Sequence, residues 1–100
     1  MASVATLSFD AYVVDTLMPD LVGHDRKPSA FLVYLCLAAA AKRSGRDRVS
    51  ASLETIAART GLSKSSVQSA LRHLRRRGLL EDAPASPADP ARTIRRPWIR

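Results

Sequence analysis

One hundred residues, 46% of them apolar, describe one packed domain with a single core and exclude a disordered tail. A single cysteine excludes an internal disulfide framework and points to a reducing compartment. Two histidines without further Cys or His at ligand spacing leave no zinc site and no metal.

The net charge of +7 is unevenly placed. Asp10, Asp15, Asp20 and Asp25 precede Arg26 with no base among them. From Arg26 onward there are sixteen bases, thirteen of them Arg, against five acids. A surface this basic attracts polyanions, and Arg is the residue best shaped to fork onto phosphate or guanine.

Residues 1–27 read as an acidic N-terminal segment, and residues 28–100 as the main domain. Met1 to Leu7 is a loose terminus. Ser8 can cap a helix that carries Phe9, Tyr12, Val13, Thr16 and Leu17 on one face, with Pro19 closing it. A strand through Tyr12 to Val14 is the competing reading. Leu21 to Lys27, which contains Gly23, reads as a polar connection. The apolar face of this segment either packs on its own domain or pairs with a second copy.

Pro28 and Ser29 open the most apolar stretch, Ala30 to Arg43, which Ser44-Gly45 terminates. Apolar residues all around it predict a helix buried on most sides, the central one of the domain. Its twelve-residue run Ala30 to Ala41 is too short to span a bilayer, and the acidic start lacks the charged n-region of a signal peptide, so a cytoplasmic protein with no membrane partner is expected. Cys36 sits inside this run, where apolar surroundings disfavour a thiolate, and reads as a core cysteine. Arg48 to Ala51 can form a short strand.

Two shorter helices follow, separated by Gly61. Ser52 caps the first, with Leu53, Ile56, Ala57 and Thr60 on one face. Ser63 caps the second by offering its hydroxyl to the N–H of Ser65 or Ser66. Its inward face is Val67, Ala70, Leu71 and Leu74, and Gly78 ends it as a left-handed cap. Leu79 to Glu81 reads as a strand and Ala83 to Ala91, with three prolines, as a loop. Arg92 to Arg100 reads as the returning strand, with Pro97 arguing for an edge position and Trp98 completing the core edge.

The stretch Glu54 to Val67 has the parts of a helix-turn-helix in order. Ala57 is small where two helices cross, Gly61 accepts a positive φ, Leu62 plugs the corner, Ser63 restarts the chain, and Val67 and Leu71 lock the second helix onto the first. Projected at 100° per residue, the helix 63–77 presents Ser65, Gln68, Ser69 and Arg72 away from its apolar face, types suited to base edges. Ser63, Lys64, His73, Arg75 and Arg76 surround them at positions suited to phosphates. No acid occurs from Ser63 to Leu80, whereas an ordinary exposed helix mixes signs.

The run Leu71-Arg72-His73-Leu74-Arg75-Arg76-Arg77-Gly78-Leu79-Leu80 resembles the passage from recognition helix into wing of winged helix-turn-helix regulators, in the broad sense that includes the MarR-like and GntR-like groups. The resemblance covers Pro28 to Arg100. It implies a mainly α fold with a small antiparallel β wing, formed by Leu79–Glu81 and Thr93–Ile99, on which Arg92, Arg95 and Arg96 would meet phosphates. It also implies a double-stranded DNA partner and binding as a homodimer. The function expected is sequence-specific transcription regulation. A protein-assembly module and a replication or partition accessory factor are the alternatives. Neither paired catalytic carboxylates, a nucleophile with its base, nor a phosphate-cradling glycine loop appears, so no enzyme activity and no cofactor is expected.

Overall fold

The computed structural model describes residues 5–82 and 91–99. The chain runs through an N-terminal helical arm, α1 (Pro28–Ser44), β1 (Arg48–Ser50), α2 (Leu53–Thr60), α3 (Lys64–Arg76), β2 (Leu80–Asp82) and β3 (Ala91–Ile94). Three helices and a small antiparallel sheet in this order form a winged helix-turn-helix. One apolar cluster joins the arm, the helices and the sheet.

The arm departs from the sequence reading. Its helical backbone begins at Ala11, so Ser8 does not cap it, and no strand forms at Tyr12 to Val14. Pro19 does not close it either. Two π-helical stretches, Val13–Leu17 and Pro19–His24, follow each other through Met18, and Asp25 N–H bonds Asp20 O at 2.8 Å. Pro19 opens the second stretch, where a missing N–H costs little. Wide i→i+5 turns carry the chain past it. The expected polar connection Leu21 to Lys27 is therefore helical as far as His24. Val13, Leu17 and Leu21, four residues apart, all point into the core, and Leu21 is 0% exposed.

Helix α1 is the central helix, as its composition predicts. It buries Ala30, Phe31, Val33, Tyr34, Leu37, Ala38 and Ala41, and packs on α3, α2 and the arm. Cys36 is half-buried on its less covered side. Burial pushes its thiol pKa up, against the nearby Arg59 and Arg43 charges. No helix among the described residues is long and apolar enough to cross a membrane.

The sheet order is β1-β3-β2, with Val49 opposite Arg92, and Glu81 opposite Thr93. The returning strand is thus central, and shorter than Arg92 to Arg100. It ends at Ile94, and Pro97, the residue that suggested an edge, lies beyond it in a turn closed by Ile99 N–H to Arg96 O at 2.9 Å. Strand β2 starts one residue later than expected. The proline-rich loop between the strands lies, except for Ala91, outside the described residues.

Trp98 does complete the core edge. Its ring stacks on Tyr12 at 4.6 Å between centroids, and its Nε1 donates to Asp10 Oδ2 at 3.0 Å. Tyr34, buried under it, donates its hydroxyl to Arg95 O at 3.0 Å. Burial pushes that phenol pKa up to about 12.

Candidate nucleic-acid interface

Both helices of the motif start on a serine. Ser52 Oγ accepts from Thr55 N–H and Ser63 Oγ from Ser66 N–H, each at 3.1 Å. Each cap satisfies a backbone donor that the first helical turn leaves without a partner. Between them Gly61 adopts φ +79°, and its N–H returns to Ala57 O at 2.9 Å. A side chain at this left-handed position would strain the backbone, so glycine fits the corner. Thr60 braces it, donating its hydroxyl to Ile56 O at 2.7 Å and accepting from Leu62 N–H at 3.3 Å.

Helix α3 buries one apolar side. Val67, Ala70, Leu71 and Leu74 are buried, while Ser65, Gln68, Arg72 and Arg76 are exposed on the other side. Gly78, at φ +71°, turns the chain out of the helix, and Leu79 N–H bonds back to Leu74 O at 3.0 Å. Among the described residues no acid pairs with Arg72 or Arg76.

The remaining residues singled out from the sequence are placed less uniformly. Lys64 is exposed and pairs with Glu54 Oε1 of α2 at 2.9 Å. The hydrogen bond and charge of Lys64 hold the Glu54 carboxyl below its usual range. Both side chains are in water, where such a pair yields readily to a competing anion. Ser63 and Ser65 sit together at the helix start, their hydroxyls 3.2 Å apart. Ser69 is half-covered, because Lys27 Nζ reaches across to its hydroxyl at 3.4 Å. Arg75 is exposed on the opposite flank from His73.

Two residues expected at phosphates are turned inward. His73 is half-buried and its Nε2 lies 2.7 Å from Asp25 Oδ2 of the arm. Arg92 is 6% exposed and donates from Nη1 to Ala51 O at 2.6 Å, which ties β3 to the start of α2. Of the three wing arginines only Arg95 and Arg96 reach the surface. Arg95 lies 3.5 Å from Glu81 Oε2, and Arg96 lies 3.4 Å from Asp10 Oδ2.

The sequence reading also missed two participants. Lys27, just ahead of α1, brings a cation to Ser69 on the flank of α3, a contact that no periodicity predicts. Arg77, which follows Arg75 and Arg76 in the chain, faces the arm and pairs with Asp20 and Asp25. The only hint was the sorting of acids before residue 26 and bases after it.

A family model described as a helix-turn-helix domain matches residues 27–80 of the chain. The match runs from Lys27 through the motif to the first residue of β2, and such a domain suggests DNA binding. Neither a curated protein nor a solved structure matches the chain.

Proposed function

We propose that this chain, which belongs to the helix-turn-helix domain family, is a sequence-specific double-stranded DNA-binding protein that acts as a transcription regulator. One observation carries the reading. A serine-capped helix follows a glycine turn and exposes Ser65, Gln68, Arg72 and Arg76 on a face without any acid. Short hydroxyls at its N-terminal half permit close approach to a major groove. Gln68 and Arg72 can pair bidentately with adenine and guanine edges.

Lys64, the helix start at Ser63, Arg75, Arg76 and the wing residues Arg95 and Arg96 would hold phosphates, with Lys27 beside Ser69 as a further cation. His73 and Arg92 are not carried into this set, because their head groups serve contacts inside the fold. Exposed Val14, Met18 and Val22 on the arm and Leu32 on α1 favour pairing with a second copy, which would place two reading helices on paired half-sites.

Selection of bound duplexes from a random pool at physiological salt tests the proposal. It should recover a two-fold related site, with affinity falling steeply as salt rises. Arg72→Ala should relax preference at one base position of each half-site, at a cost of about 1–3 kcal/mol. Recovery of no enriched sequence would overturn the specificity and leave an assembly module as the better reading.

A further inference from the structure

The acidic arm meets the basic recognition helix at one buried carboxylate. The Asp25 side chain is 8% exposed, and donors from two separate elements surround it. His24 Nδ1 lies 3.0 Å from Oδ1. On the other oxygen, His73 Nε2 approaches to 2.7 Å and Arg77 Nε to 2.9 Å. Arg77 also reaches Asp20, which in turn lies 3.9 Å from His24. The charged and titratable groups facing Asp25 are thus Asp20 and His24 from the arm, and His73 and Arg77 from the end of α3. The hydrogen bonds from His24 and His73, with the charges of Arg77 and His73, hold the Asp25 carboxyl below its usual range against the opposing effect of burial.

A buried carboxylate is not needed to fasten the arm, because Val13, Leu17 and Leu21 already do so. An apolar contact would hold at least as well as an ion pair there. What directed hydrogen bonds add is orientation. His73 and Arg77 are one helical turn apart on the same flank of α3, so gripping both fixes the rotation of the helix about its own axis. Arg72 is the neighbour of His73 in the chain. Gln68 lies one turn before Arg72.

We infer that Asp25 is a positioning residue for DNA recognition, holding α3 at the rotation that aims Gln68 and Arg72 outward. The inference rests on α3 being the reading helix. Base-edge contacts are geometrically strict, whereas phosphate contacts tolerate displacement. Loss of the grip should therefore damage the choice of sequence more than affinity for DNA in general.

Asp25→Asn keeps the shape of the side chain and removes its charge. The ratio of affinities for a selected duplex over a random-sequence duplex should fall about tenfold in this variant. Binding to the random duplex should stay the same or tighten, since a negative charge has left the flank of the interface and Arg77 has been loosened. A residue needed only for folding would lower both affinities together. An unchanged ratio in folded Asp25→Asn overturns the inference. Should that variant fail to fold, His73→Gln removes one arm of the grip, and the same ratio decides. If the unaltered protein has no preference among duplexes, the reading-helix assignment fails instead. Amide hydrogen exchange in free Asp25→Asn then tests the grip itself. Protection at residues 74–78 should fall relative to α1, and equal protection overturns it.

Discussion

Leu21→Ala tests whether the arm belongs to the folding unit. Leu21 is completely buried, although it lies between Pro19 and Gly23 in a segment whose composition reads as a connection. Removing three side-chain carbons forfeits about 2.4 kcal/mol of transfer free energy at roughly 0.8 kcal/mol per carbon. A cavity term is added to the extent that the arm cannot settle onto α1, so a loss of about 3 kcal/mol is expected, within the usual span for buried leucines. For a domain of this length each kcal/mol lowers Tm by about 4–8 °C, which gives a fall of roughly 12–24 °C. Thr16→Ala is the control, because Thr16 lies on the same arm and is exposed. Its effect should stay within about 0.5 kcal/mol. Thermal and urea unfolding followed by circular dichroism measure both variants. A Tm fall below about 4 °C for Leu21→Ala, or equal effects of the two substitutions, would refute the placement of the arm in the core.

Two further outcomes are expected. In Gly61→Ala the new Cβ meets nothing within 4 Å, so the penalty is conformational rather than steric. It should be about 1–2 kcal/mol in denaturant unfolding, with Gly61→Asn recovering part of it, and an undiminished stability would contradict the left-handed turn. The Asp25 carboxyl has a folded pKa below its ordinary value of 3.8. At acid pH the unfolded chain therefore binds the extra proton. The stability this group contributes is complete well above 3.8 and is lost as pH falls through that value toward the folded one. Between pH 5 and pH 3 the unaltered protein should lose more stability than Asp25→Asn, and parallel acid limbs would show that the carboxylate carries no such linkage.

The motif was legible because its signals are local. A serine, an apolar repeat and a glycine within a few residues of each other determine where α2 and α3 begin, bury and end. Burial of Val67, Ala70, Leu71 and Leu74 on one side leaves Ser65, Gln68 and Arg72 on the other. The first half of the arm was legible as a helix that buries Val13 and Leu17, but its continuation was not, since Pro19 and Gly23 are breakers in an ordinary helix and nothing in the periodicity announces π turns that accommodate both. The head groups of His73, Arg77 and Arg92 were equally beyond reach of a helical projection. Their partners lie 48, 57 and 41 residues away, and a projection gives the direction of a Cβ, not the destination of a long side chain.

What the fold does change is the meaning of the split in charge. Read along the chain, an acidic head before a basic body invites separate partners for each. In the folded molecule the acids meet the bases. Asp10 takes Arg96 and Trp98, Asp20 takes Arg77, and Asp25 takes His73 and Arg77. The contacts of Asp20 and Asp25 engage one flank of α3, whereas Arg72 and Arg76, further round the same helix, have no acidic partner among the described residues. Sixteen scattered bases would attract any polyanion along its length. The arm engages the bases on that flank, while Arg72 and Arg76 stay exposed on the side of α3 that also carries Gln68 and Ser65. The acid-first, base-later order of the sequence thus supplies the two sides of one internal contact.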